Sequence, residues 1–207
     1  MTLLHLIRHA RSTWNSEGRL QGQADPPLDD IGQQQIRALV EFLNDEPFQA
    51  VYSSPLIRAR LTAEALAAAR GLPVQFDDRL MERHLGEWTG LNGDEAHARI
   101  AVFANGDWRV TGPPGGEGEA ALMARAAAAL ADIIAAHPEG HVAVVSHGGT
   151  LRAYLLHLFG LSPESQHISF SFENTAFARL WVLEGHIRFL GLGENRPQAT
   201  RHPLRRN

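Results

Sequence analysis

Apolar residues run unbroken over positions 142–145 and, interrupted only by His5, over positions 3–7. Each run stops at a polar cluster: Arg8 and His9 after the first, and Ser146, His147, Gly148 and Gly149 after the second. Short runs of this kind predict strands buried on both faces, whose carboxyl ends open onto a site. Residues 50–52 and 74–76 predict two further short strands. Elsewhere the apolar period lengthens to that of a helix. Asp29 or Asp30 can cap a helix reaching about residue 44, with Ile36, Leu39, Val40 and Leu43 on its inner face. Pro55 opens a second helix through about Arg70, ended by Gly71 and Pro73. An alanine-rich stretch over residues 119–136 predicts a third and residues 150–159 a fourth. Residues 12–17 read as a loop or helix start and 22–27 as turns, and residues 175–183 and 186–190 form a hairpin around Glu184 and Gly185.

The stretch over residues 80–118 holds several glycines together with Pro113 and Pro114, and predicts a long irregular insertion lying over something. Strands alternating with helices predict an α/β fold: a three-layer α/β/α sandwich with a mainly parallel central sheet and a lid-like insertion. One domain is expected across residues 1–207, with the lid segment at 83–118. Ligands in such sheets lie outside the carboxyl ends of the strands, where both histidine clusters fall.

Composition narrows the chemistry. The 207 residues are 44% hydrophobic and 20% charged, the balance of a globular protein with a full core. With no cysteine, disulfides, thiol nucleophiles and cysteine-bound zinc are excluded. All 19 basic residues are arginine, so lysine chemistry is excluded too, and the planar guanidinium is the phosphate clamp at hand. A net charge of −4 gives no long-range pull on nucleic acid. The arginines at the end of the chain, between Arg196 and Arg206, read as a solvated terminus. The opening apolar run is too short for a signal peptide or a membrane span, which predicts a cytoplasmic enzyme with neither nucleic-acid nor membrane partner.

Phosphoryl transfer needs an in-line nucleophile, dispersed positive charge for the equatorial oxygens and an acid for the leaving group. Arg8, His9, Arg58, Glu82 and His147 can supply all three. A neutral imidazole is a good nucleophile near pH 7, and a phosphohistidine splits one hard displacement into two. A lone Arg-His pair after a strand is more often structural, and a glutamate on an irregular loop more often solvated. Two histidine pairs have i, i+4 spacing, His5 with His9 and His137 with His141. Residues four apart on a strand stand well separated, and Pro138 and Gly140 break any helix across the second pair, so neither metal nor cofactor is expected.

Five ordered segments decide against the structural readings. The stretch from Leu6 through Arg8, His9, Ala10, Arg11 and Ser12 to Trp14 and Asn15 resembles L-I-R-H-G-E-[ST]-x-W-N, the opening motif of the histidine phosphatases, a superfamily that includes the cofactor-dependent phosphoglycerate mutases. Gly18 to Leu28 is similar to the family's G-R-x-Q-G-x-x-D-x-P-L, Tyr52 to Arg60 to Y-S-S-P-L-x-R-A-x, Glu82 with Gly86 and Gly90 to the acid-bearing segment, and Val144 to Gly149 to the second histidine motif. The resemblance implies that His9 is phosphorylated, that Glu82 is the proton donor, and that His147 stabilises the phosphoryl charge. It also implies that Arg8, Ser12, Asn15, Gln21, Gly22, Arg58 and Gly148 bind phosphate or substrate.

Departures from the pattern matter. Ala10 stands for a glycine, adding a methyl beside the nucleophile, and Arg11 for a glutamate, adding charge at the rim or pointing to solvent. Glu82-Arg83-His84 with Gly90-Leu91-Asn92 resembles the mutases, yet Leu85 replaces their tyrosine, Gly93 their lysine, and Val110 the second arginine of W-R-R. Glu173-Asn174-Thr175-Ala176 looks like the phosphatase branch. The expected function is a metal-independent phosphomonoester hydrolase working through a phosphohistidine on a small phosphorylated metabolite. The alternatives are a cofactor-dependent phosphoglycerate mutase and, more remotely, a non-catalytic phospho-ligand binding module. A homodimer is left open.

Overall fold

The computed structural model of the chain describes residues 1–103, 107–164 and 169–193. The basic stretch at 196–206 lies outside them, as does part of the expected lid segment. In chain order the elements are β1 (Thr2–Arg8), α1 (Thr13–Ser16), α2 (Asp30–Phe42), β2 (Phe48–Ser53), α3 (Ile57–Ala68), β3 (Val74–Phe76), α4 (Gly93–Ala101), α5 (Trp108–Thr111), α6 (Glu119–Ala136), β4 (Gly140–Ser146), α7 (Gly148–Leu158), β5 (Phe177–Leu183) and β6 (His186–Gly193). The strands form one six-stranded sheet in the order β3-β2-β4-β1-β5-β6. The first four are parallel, and β5 and β6 add an antiparallel hairpin at one side.

The apolar runs are explained by burial on both faces. Leu4, Leu6, Val142 and Val144 pack under α6 and α7 with Ala126, Leu130, Leu151 and Leu155. Their neighbours Ile7, Ala143 and Val145 point the other way, into α2 and α3, against Leu39, Ala59, Ala63 and Leu66. The fully buried Leu6 lies in the first of these layers, where truncation to alanine costs about 2–5 kcal/mol. Helices on both faces give the expected three layers.

Two expectations need correction. Pro55 does not open α3, which starts two residues later at Ile57 with Leu56 as its unbonded N-cap, and which ends at Ala68 rather than Arg70. Nor is the insertion merely irregular. It contains α4, opened by a reciprocal cap between Asn92 and Glu95, and the single turn α5, capped by Asp107. Among the described residues no helix is long and apolar enough to cross a membrane.

Candidate active site

Strands β1 and β4 are adjacent and in register, and their last pair is Arg8 with Ser146. The next residue of each chain segment, His9 and His147, therefore leaves the sheet at the same edge. Their ring centroids are 5.0 Å apart at 57°. The backbone turn beneath them is fixed by the segment that leads into β5: the Thr175 amide, on a residue at φ 63°, donates to the Arg8 carbonyl at 3.1 Å. Asn174 Nδ2 donates to the His9 carbonyl at 3.0 Å.

His9 Nδ1 lies 2.7 Å from the Ala10 carbonyl oxygen, which can only accept, so this nitrogen carries the proton. Nε2 is left with its lone pair. Burial, and then the charges of Arg58 and Arg8, hold the His9 imidazole well below its usual pKa. The same causes keep His147 neutral, with Nε2 hydrogen-bonded to Ser54 Oγ at 2.8 Å. A neutral, oriented imidazole is what nucleophilic attack requires.

Arg8 and Arg58 bring the positive charge. Arg58 is wholly buried and donates through Nη1 to Ala24 at 2.7 Å and through Nη2 to Gly22 at 2.8 Å. Burial lowers its pKa to about 10, which leaves it a cation near neutrality. Arg8 Nη1 donates to the Phe172 carbonyl. The Nε of each arginine has no partner among the described residues. Two buried N–H donors without acceptors are costly in themselves and match the needs of a tetrahedral oxyanion.

Glu82 lines the same cavity as His9 and the two arginines. Its Oε2 accepts from the Gly149 amide at 3.0 Å and its Oε1 from the Arg83 amide at 2.8 Å. The backbone that carries it is clamped by Arg125 of α6, which donates to the carbonyls of Arg79 at 2.8 Å, Met81 at 2.6 Å and Glu82 at 3.0 Å. Glu117 holds the clamp from behind at 2.7 and 2.8 Å. A β-carbon added at Gly149 would overlap the Glu82 carboxylate, so glycine is needed there for close approach.

Arg8, His9, Gln21, Gly22, Arg58, Glu82 and Gly149 line one cavity of about 420 Å³, whose outer walls come from Arg19, Arg83, Leu85, Trp108, Arg109, Glu119, Arg152 and Leu156. Of the residues expected from sequence, His147, Ser12, Asn15 and Gly148 are not among those lining it. Ser12 caps α1 and donates to Gln21 Oε1 at 2.8 Å, and Asn15 completes that cap, so both support the wall from behind. Gly148 backs onto Arg8. Ala10 is fully buried and does not narrow the cavity, and Arg11 turns away to Asp29 at 2.7 Å. Sequence reasoning passed over Ser54, Arg125, Glu119 and Arg152, while Asn174 was visible in the segment Glu173 to Ala176 but given no role.

Comparisons with known proteins give the family and the fold. A family model described as the histidine phosphatase superfamily (branch 1) matches residues 4–195. The chain is 37% identical over 172 residues to a 2,3-bisphosphoglycerate-dependent phosphoglycerate mutase 2 of Gloeobacter violaceus, covering 79% of this chain and 78% of that one. It is 35% identical over 191 residues to phosphoserine phosphatase 1 of Hydrogenobacter thermophilus, covering 89% and 88%. A mycobacterial glucosyl-3-phosphoglycerate phosphatase, solved in complex with VO3, superposes with a TM-score of 0.82 at 30% identity over 91% of this chain and 97% of that one.

Proposed function

The chain belongs to the histidine phosphatase superfamily, branch 1, and we propose that it hydrolyses small phosphomonoesters without a metal, through a phosphohistidine on His9. One observation carries this reading above the others: a neutral, buried His9 with Nε2 free shares a cavity with the two arginines whose Nε groups are unpartnered and with Glu82.

In the proposed cycle the guanidinium groups of Arg8 and Arg58 hold the phosphoryl oxygens. Nε2 of His9 attacks phosphorus in line, and Glu82 in its acid form gives its proton to the departing ester oxygen. The alcohol leaves, and Glu82, now a carboxylate, removes a proton from water as that water attacks the phosphohistidine. Inorganic phosphate and neutral His9 are regenerated. His147, its ring 5.0 Å from that of His9, stabilises the charge on the transferring group once it takes a proton. The arginines and His147 supply the charge that a metal otherwise would.

Hydrolysis is favoured over mutase action because Leu85, in place of the mutases' tyrosine, puts an apolar side chain on the cavity wall, while Gly93 opens α4 away from it. The deciding experiment is a screen of phosphate monoesters with chelator present, beside a mutase assay on 3-phosphoglycerate with bisphosphoglycerate primer. Release of inorganic phosphate with acid-labile labelling of wild type but not of His9→Ala is expected. Labelling that persists in His9→Ala, or turnover lost to chelator and restored by a divalent ion, overturns the reading.

A further inference from the structure

The cavity extends beyond its phosphate end, and the outer wall is organised around one carboxylate. Glu119, the first residue of α6, is 1% exposed and lines the cavity. Arg83 and Arg152 both direct Nη2 to the same oxygen of Glu119, Oε2. The other oxygen, Oε1, is buried and has no partner among the described residues. A buried carboxylate oxygen without a donor is costly, and a ligand group that reaches it with an O–H or N–H recovers that cost. The placement fits a substrate's organic part. Arg83 follows Glu82 in the chain, and Arg152 lies three residues along α7 from Gly149, about one helical turn from the Glu82 carboxylate.

We infer that Glu119 is a specificity-determining residue that selects phosphomonoesters whose organic part offers a hydroxyl donor, as polyol and sugar phosphates do, over those that offer a carboxylate there. A carboxylate meets Glu119 as a like charge and must compete with it for guanidinium groups already engaged: Arg83 also donates to the Arg109 carbonyl at 2.9 Å. An ammonium group meets Arg83 and Arg152 as like charges. A hydroxyl is repelled by neither, and can donate to Oε1 while accepting from a guanidinium. The inference rests on the phosphohydrolase reading and adds the substrate class to it.

Glu119→Gln tests the point through a change of sign. Only the amide oxygen can accept from the two arginines, so glutamine turns its NH2 group towards the position held by Oε1, and an acceptor becomes a donor. The experiment measures kcat and KM of wild type and Glu119→Gln for glycerol phosphate, a hexose phosphate, 3-phosphoglycerate and phosphoserine, with thermal unfolding as a check on the fold. Wild type is expected to favour the first two in kcat/KM. In Glu119→Gln the ratio of hydroxylated to carboxylated substrates is expected to fall about ten- to a hundredfold, the effect of a hydrogen bond to a charged group, chiefly through KM. A wild type that favours the carboxylated esters overturns the inference, whether or not the variant folds. A folded variant in which all four substrates decline together also overturns it, since that is the signature of a carboxylate that only braces arginines. In either case release of phosphate with labelling of His9 leaves the phosphohydrolase reading standing, whereas failure of every monoester to label wild type removes both.

Discussion

The rings of His9 and His147 stand 5.0 Å apart, and both are held neutral by burial and by the same two arginines. Neither can carry charge until something anionic arrives between the arginines. A phosphoryl dianion does that, and it raises the proton affinity of the imidazole it touches. His147→Gln is expected to lower the rate of phosphorylation about a hundred- to a thousandfold, as loss of one donor to a developing oxyanion does. Rapid-quench measurement of phosphoenzyme formation checks it, with thermal unfolding to show that the fold persists. A wild-type rate in the variant removes His147 from the chemistry.

Glu82→Gln keeps the shape of the side chain but cannot give up a proton, and its single amide oxygen can accept from only one of the Gly149 and Arg83 amides. An alkoxide leaves badly unless protonated, and a general acid of this kind contributes about a hundred- to ten-thousandfold. The variant is expected to lose that factor in the pre-steady-state burst with alkyl phosphates. With dinitrophenyl phosphate, whose leaving group needs no proton, the burst survives although steady turnover does not, because dephosphorylation still lacks its base. Equal loss in both bursts, or loss in neither, transfers the acid role to another carboxylate of the insertion, beginning with Glu87.

Gly149→Ala tests position alone. The added methyl overlaps the far end of the Glu82 side chain rather than backbone, so the carboxylate yields and the fold stays. A displacement of this order is expected to lower kcat about tenfold to a hundredfold. Arg125→Met, which releases the carbonyls on both sides of Glu82, is expected to act in the same direction. A variant of either kind with wild-type kcat on alkyl esters shows that Glu82 does not depend on this clamp.

These contacts mark where the sequence stops being readable. Strands β1 and β4 are legible because burial on two faces leaves a continuous apolar signature, and α6 because a long alanine-rich stretch sums a strong helix propensity. The reciprocal cap of Asn92 and Glu95 was equally open to view, although α4 was expected to be loop. Nothing in the sequence around Arg125 points to Glu82, 43 positions away, since a guanidinium that binds carbonyls leaves no trace in the carbonyls' side chains. Thr175 is opaque for another reason: threonine rarely adopts positive φ, so its turn under His9 has no signal in residue type. The segments that carry Arg8, His9, Arg58, Glu82 and His147 were legible as a pattern, whereas the outer wall depends on which far-apart residues meet.

Acid stability should report on a group outside the site. His5 is fully buried on β1 beside Phe48, ring centroids 5.0 Å apart, and burial lowers its pKa to about 4 despite Glu46 at 3.7 Å. An unfolded histidine takes its proton near pH 6.5, so between about 6.5 and 4 the unfolded chain binds more protons than the folded one. Stability therefore falls as pH drops through that window and levels off below it, with His5 accounting for on the order of 3 kcal/mol. Urea unfolding of His5→Leu at pH 7 and pH 4.5 is expected to show a smaller acid loss than wild type. Equal losses in the two proteins assign the acid sensitivity elsewhere, to His9 and His147 first.

Heat should separate what the enzyme can cleave from what it chooses to cleave. The two histidines are spaced by adjacent core strands, which lie about 4.8 Å apart in any sheet, so warming cannot part them short of melting the centre of the molecule. Part of the outer wall, Trp108 and Arg109, hangs on the single turn α5 and its side-chain contacts, which loosen at lower temperature than core strands do. Inactivation on a substrate with no outer contacts should then coincide with global unfolding, while discrimination among substrates fades some degrees earlier. A culture grown near its upper limit would carry an enzyme that still cleaves but has become indiscriminate, and stray hydrolysis of metabolites would precede loss of activity.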